Sequence, residues 1–289
     1  QLPSDTLSSL TLNYKRLGVY VLHGEDDDNV PPEQARIMLK RLGEFHKDFD
    51  SHFQPGVRHW WDGDPAPGAA CLDWPPMYDF FAQRKLPAAE NVRHVEFHTA
   101  CPGISARSGW ATIEAQTADL QIASVWLDCD PGLRRFSGTT QNVKRLVLDV
   151  APLRPGATLS VEIDGQSIED IAWPETEGRI WLRREGKTWS EIEKPSPDLK
   201  GPHRYGPFKD AFRNRMIFVY GTEGTAEENA WALAKARYDA ETFLYRGNGD
   251  VDLMPDEEFD PAATPGRNVI LYGNADTNGA WGKLLRICP

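Results

Sequence analysis

Residues 17–32 read LGVYVLHGEDDDNVPP, and this stretch decides how the front of the chain folds. Leu17–Leu22 is a short, nearly continuous apolar run, as expected of a parallel strand buried on both faces. A charged loop follows, and then two prolines. Pro31 and Pro32 sit where the first turn of a helix tolerates proline, because that N–H has no partner inside the helix. Within Glu33–Phe45, Ile37, Leu39, Leu42 and Phe45 leave Arg36, Lys40, Arg41 and Glu44 largely on other faces, which predicts an amphipathic helix. Ser51–Gln54 reads as the next strand, followed by the loop PGVRHWWDGDPAPGAAC of residues 55–71. Pro75–Arg84 then reads as a last helix presenting Met77, Phe80 and Phe81. Strand, loop, helix, strand, loop, helix is the ending of an α/β sheet. Two strands cannot stably bury two helices by themselves, so the sheet is expected to be partial.

The pattern changes after Leu86-Pro87. From Val92 to about Trp173 the sequence reads as short strands and turns. Val95, Phe97 and Thr99 alternate with His94, Glu96 and His98. Arg145–Val150 and Thr158–Ile163 follow, the latter running into an Asp164-Gly165 turn. Regular strands at this spacing predict a β-sandwich, and Arg179–Ile192 adds a hairpin around Glu185-Gly186. From about Pro195 the text is strand-helix-strand again: Met216–Tyr220, the loop GTEGTAEEN, a helix over Ala226–Tyr245, strands at Val251–Met254 and Asn268–Tyr272, and a helix within Ala275–Leu285. That order predicts a small Rossmann- or flavodoxin-like unit.

Composition narrows the function classes. The chain has 289 residues, 40% hydrophobic and 26% charged, the profile of an ordinary globular protein long enough for two or three domains. No apolar run approaches the roughly 20 residues needed to span a bilayer. A net charge of −11 leaves no basic stripe for phosphate contacts and argues against nucleic acid. Cys71, Cys101, Cys129 and Cys288 are widely spaced without a C-x-x-C pair, which argues against zinc and leaves disulfide pairing open. The first residues, QLPSDTLSSL, lack the charged and apolar regions of a signal peptide. The expectation is that the front of a precursor has been removed.

Two loops carry the chemistry. His23–Pro31 (HGEDDDNVP) follows one strand and Gly56–Trp61 (GVRHWW) follows the next, and functional loops of open α/β sheets lie at the carboxyl ends of strands. An acid on one and a histidine on the other can meet. Asp27 and then His59, 32 residues further on, have the relative order of the acid and base in Ser…Asp…His enzymes. There the acid orients the imidazole and the histidine takes the serine's proton.

HGEDDDNVP followed by PGVRHWW resembles the C-terminal end of the catalytic domain of the prolyl oligopeptidase family of serine peptidases. That family's motif is a strand, His-Gly, two residues, then Asp-x-x-V, with a histidine in a short loop before the final helix. The resemblance covers roughly residues 15–86 and implies that Asp27 is the triad acid, with Val30 at the expected offset, and His59 the triad base. It implies no metal or organic cofactor. The family's nucleophile lies in a G-x-S-x-G elbow well before the acid, and only 26 residues precede Asp27 here. None of Ser4, Ser8, Ser9 or Ser51 has the glycine flanks of such an elbow. The expectation is therefore a C-terminal portion of a serine hydrolase, peptidase or esterase, whose partners are a peptide or ester substrate and the N-terminal part of the same protein. A non-catalytic binding module that retains a hydrolase remnant is the alternative. The implied fold is multidomain: a partial α/β-hydrolase sheet over 1–88, a β-rich sandwich-like domain over 89–194 and a small α/β domain over 195–289. By the same likeness, a secreted or periplasmic location is favoured over the cytoplasm.

Other features have plainer readings. Three consecutive aspartates, Asp26–Asp28, also suit a solvated loop; Asp27 is preferred by the motif's offset alone. Trp60 and Trp61 either cover the site or pack the core. His94, Glu96 and His98 share a strand face and would suit a metal, but with no fourth ligand a solvated polar face explains them. Gly221–Thr225 is a weak phosphate-loop imitation without the lysine, better read as a turn with a helix N-cap. Asn274, Asp276, Thr277 and Asn278 are polar enough for a ligand pocket, a weak signal.

Overall fold

Val19–Gly24 (β1) and Phe49–Gln54 (β2) pair in parallel, with Gly24 opposite Gln54 at their carboxyl ends. After a short first helix, α1 (Pro3–Ser8), helix α2 (Pro32–Gly43) makes the crossover, with Pro32 in its first turn as the sequence predicts. Alternate residues of a strand face opposite ways, and here each face has a helix. Phe53 lies under the Arg36 guanidinium of α2, 4.4 Å from its ring centre, whereas His52 stacks on Trp74 at 4.4 Å, at the start of α3 (Pro75–Ala82). Tyr20 of β1 meets Phe80 of α3 edge-on and accepts a hydrogen bond from Trp74 Nε1. In a computed structural model, residues 3–61, 71–175, 177–205, 208–212 and 215–285 are described. The chain is a mixed α/β protein dominated by β-sheets, with few helices.

β1 departs from the burial expected of a parallel strand: up to His23 its residues are only half-buried, and Gly24 alone is buried. The reason is geometric. Among the described residues this sheet holds just β1 and β2, so each strand has one unpaired edge and the helices straddle a narrow platform. Leu17, Ile37 and Phe81 around it are exposed.

Two compact units divide between Tyr205 and Gly206. In the first, the segment just described is followed by two five-stranded sheets. One runs in the order Gln166–Ile171 (β10), Leu159–Ile163 (β9), Arg135–Gln141 (β7), Ala123–Asp130 (β6), His94–Thr99 (β3). The other runs Thr188–Ile192 (β12), Arg179–Glu185 (β11), Val143–Asp149 (β8), Ala111–Gln116 (β5), Arg107–Ser108 (β4). Their inner faces share one core, in which Val125, Leu127 and Phe136 of the first sheet meet Ile113, Leu146, Leu148 and Leu182 of the second. Each such side chain contributes roughly 1.5–3 kcal/mol on burial. Trp110 and Trp189 are also fully buried, and their indole N–H groups donate to Val92 O and Asp164 Oδ2. The expected Asp164-Gly165 turn links β9 to β10, both residues at positive φ as a tight hairpin requires.

β3 is an edge strand, and a 3-10 turn at Leu10–Arg16, with no counterpart in the sequence reading, covers that edge. The Asn13 side chain imitates a neighbouring strand: its Nδ2 donates to His98 O at 2.8 Å and its Oδ1 accepts from His98 N at 2.9 Å. Lys15 pairs with Glu96 at 2.6 Å and Arg16 donates to His94 O. An unpaired strand edge is an aggregation hazard, and side-chain capping of this kind removes it.

In the second unit, Met216–Tyr220 (β13) lies between Asp252–Pro255 (β14) and Asn268–Tyr272 (β15), all parallel. Helix α4 (Ala226–Gly247) packs Ala232, Ala236 and Phe243 on the Phe218 face, and Ile217 and Val219 face Phe259 and Ala280. Thr225 caps α4 in a reciprocal capping box with Glu228. The helix expected within Ala275–Leu285 shrinks to Trp281–Leu284 (α5). Asn278 is the cause: its buried side chain donates to Val219 O and Tyr272 O, and such local bonding competes with helix.

Gly138 in β7 is the tightest backbone approach of the sandwich, where a Cβ would lie 2.0 Å from Trp126 O on the paired strand. Gly138→Ala is expected to destabilise the first unit by more than about 2 kcal/mol, read as a lower urea midpoint by circular dichroism. An unchanged midpoint would show that the strands part at little cost.

Candidate active site

The parallel register places the loops after β1 and β2 side by side, and backbone bonds lace them together. Glu25 N donates to Gln54 O at 2.9 Å and Asp26 N to Val57 O at 3.0 Å. Gly24 makes the close approach possible, since a Cβ there would fall 2.5 Å from both Val57 O and Arg58 O.

Of the three aspartates, Asp27 alone turns inward. It is 8% exposed, whereas Asp26 and Asp28 are exposed, Asp28 in a surface pair with Arg58 at 3.5 Å. Asp27 Oδ1 accepts from Asn29 N and Val30 N, both at 2.9 Å, and Oδ2 from His59 Nδ1, also at 2.9 Å. Burial works against the charge. It is outweighed by the Val30 N–H, the His59 imidazole and the Asn29 N–H, which together hold the carboxyl at about 2 against an ordinary 3.8. A carboxylate can only accept, so His59 Nδ1 carries the proton. In the neutral ring Nε2 is then the basic nitrogen. Among the described residues, Nε2 makes no hydrogen bond.

The two tryptophans divide the roles that the sequence left open. Trp61 is buried against Trp74 and His52, with a backbone in the left-handed region at φ 52°. Trp60 is exposed and stands edge-on to the His59 ring, 5.1 Å between centres. Residues 62–70 lie outside the described residues.

His23 is a part of the site that sequence reasoning left without a role. Its Nε2 donates to Val30 O at 2.9 Å and lies 3.4 Å from Asp27 Oδ2. It therefore braces the turn whose N–H groups hold the carboxylate. Its place in the His-Gly pair of the motif was the available signal.

His94, Glu96 and His98 do not form a solvated face. His98 is buried, with Nδ1 on Ser124 Oγ at 2.7 Å and Nε2 on Glu96 Oε1 at 3.3 Å, and its proton affinity is lowered by burial. His94 turns instead to Asp128. No cluster able to hold a metal ion occurs among the described residues. Cys71, Cys101 and Cys129 are free thiols and Cys288 lies outside the described residues.

No protein-family profile matches the chain. No solved structure matches it either. A protein of the fungus Arthroderma benhamiae, named an uncharacterized secreted protein, is 26% identical over 285 residues, which cover 92% of this chain. The chain spans only 28% of that relative's length. No helix among the described residues is long and apolar enough to cross a membrane.

The depressed Asp27 carboxyl stabilises the fold above pH 3.8, and that contribution is lost as pH falls toward about 2. Asp27→Asn removes the titration. The wild type is expected to lose stability relative to this variant between those two values, as followed by urea midpoints at successive pH. Parallel curves would show that Asp27 is not held as an anion.

Proposed function

We propose that this chain is the C-terminal portion of a serine hydrolase of the prolyl oligopeptidase type, a peptidase or esterase. It contributes the acid and base, while the nucleophilic serine comes from upstream sequence or another chain. The observation that carries this reading is the Asp27–His59 pair, with Nδ1 engaged by the carboxylate and Nε2 left as a base. The serine hydroxyl gives its proton to Nε2 as its oxygen adds to the substrate carbonyl. The resulting imidazolium is stabilised by Asp27 and returns the proton to the leaving amine or alcohol. Water, activated in the same way, hydrolyses the acyl-enzyme. With its carboxyl at about 2, Asp27 stays ionised at any pH where peptide or ester turnover is practical. This chemistry calls for no cofactor.

Two further features support the reading. The half-buried β1 and the exposed Leu17, Ile37 and Phe81 around it suit a sheet continued by strands from the remainder of a hydrolase domain. The longer relative has room for such a segment and is named as secreted, which fits a secreted or periplasmic parent.

The test is made on the complete parent protein with a fluorophosphonate probe and p-nitrophenyl ester and peptidyl-anilide substrates. The probe is expected to label a serine outside residues 1–289. His59→Ala should lower kcat by at least about 10³-fold and Asp27→Asn by about 10⁴-fold, both with unchanged circular dichroism. Turnover unaffected by His59→Ala would remove the pair from the mechanism and leave a non-catalytic role for the segment.

A further inference from the structure

In the second unit, the loops after β13 and β15 and the first turns of α4 enclose a cleft of about 800 Å³. It lies at the carboxyl ends of a parallel sheet, where open α/β sheets take their ligands. A strand-loop-helix of this kind offers phosphate a ring of backbone N–H groups. Here several of those donors are already engaged. Thr222 N and Gly279 N donate to Asp256 Oδ2 at 3.2 and 2.6 Å, Gly224 N to Asn229 Oδ1 at 2.9 Å, and Thr225 N to Glu228 Oε2 at 2.8 Å. The carboxylates of Asp256 and Glu228 occupy the positions an anion's oxygens would take, and Glu227 adds negative charge at the rim. Lys235 also lines the cleft, but Asp239 already pairs with its ammonium, so Glu227 and Glu228 leave the rim net anionic and disfavour a phosphate or nucleotide.

The cleft presents an aromatic platform instead. Trp231, 61% exposed, forms one wall, and Leu271 and Tyr272 add apolar surface. Polar groups line its edge, among them the Glu227 carboxylate, the Lys235 ammonium, which is paired with Asp239, and the Asn274 amide, whose Nδ2 makes no hydrogen bond among the described residues. An apolar surface with a few placed polar groups is the usual make-up of a small-ligand site. Beyond the cleft, Tyr238 and Tyr245 follow Trp231 along α4, both exposed. Seven residues advance a helix by about 10.5 Å and return to within about 20° of the same face. The three rings thus form a row leading out of the cleft, at intervals on the scale of a disaccharide, with the Lys235 ammonium over one side of the Tyr238 ring, 5.6 Å from its centre.

We propose that the cleft and this row bind a neutral polysaccharide. One pyranose ring lays its C–H face on Trp231, the electropositive hydrogens against the negative face of the indole. Its equatorial hydroxyls reach Glu227 and Asn274, and the chain continues along α4 over Tyr238 and Tyr245. The chemistry requires an uncharged ligand with apolar ring faces and hydroxyl edges, and the anionic rim selects against acidic glycans.

The proposal rests on the second unit and is independent of the hydrolase reading. It is tested on the intact chain by pull-down on insoluble cellulose, chitin, β-1,3-glucan and starch, and by affinity electrophoresis in soluble xylan and mannan. At least one of these is expected to retain the protein. Retention should persist in added salt and in the presence of inorganic phosphate or AMP. Trp231→Ala should weaken it by more than about tenfold, and Tyr238→Ala by less; Trp231 is exposed, so the variant should fold, as circular dichroism will check. His59→Ala should bind as the wild type does. Retention by none of the glycans, retention unchanged in Trp231→Ala, or displacement by phosphate or AMP would overturn it.

Discussion

A carboxylate withdrawn from water must be met by hydrogen-bond donors or it will not stay charged, and Asp27 imposes that constraint on the front of this chain. Its donors come from two places: the next turn of its own loop, and a histidine on the neighbouring loop. Meeting both demands requires the loops to lie in contact. The parallel pairing of Gly24 with Gln54 brings them to the same sheet end, and the missing side chain of Gly24 lets the carbonyls of Val57 and Arg58 close over it. His23 then holds Val30 in place. The result is an imidazole with one nitrogen fixed and the other basic, on a scaffold of two strands and two helices.

That scaffold is narrow, and it is fastened to the two-sheet core that follows it. The turn at Leu10–Arg16 sits immediately before β1 and is fastened to β3 by Asn13, Lys15 and Arg16. One set of bonds serves two purposes: it closes an exposed strand edge and anchors the segment bearing the site to a core of interdigitated side chains. Buried His98, bonded to Ser124 and Glu96, stiffens the same strand.

The second unit uses the same device differently. Asp256, at the carboxyl end of β14, is also buried and also gathers backbone N–H groups from neighbouring loops. There, however, its partners are backbone N–H groups and the Thr222 hydroxyl rather than an imidazole. The carboxylate consequently orders loops without poising a base. The two sites share geometry and differ in chemistry because one neighbouring loop carries a histidine.

Local patterns in the sequence determined much of this. Proline in the first turn, amphipathic spacing and the Thr225 cap were enough to place α2 and α4, because helix signals act within a few residues. Asn268–Tyr272 was legible from its apolar run, and Asp27 and His59 from a strand–loop motif. What could not be read locally was any effect set by distant neighbours. The motif's offset picks out the middle aspartate of three, but its burial and its partners, two N–H groups of its own loop and the His59 imidazole on the next, are set by the tertiary structure. His98 reads as an outward polar residue until the 3-10 turn folds over it, and Asn278 reads as helical until its side chain finds the carbonyls of two strands. Burial of a polar side chain depends on donors and acceptors that arrive from elsewhere in the chain. The residue types were therefore fixed by sequence, and their protonation and partners by the tertiary structure.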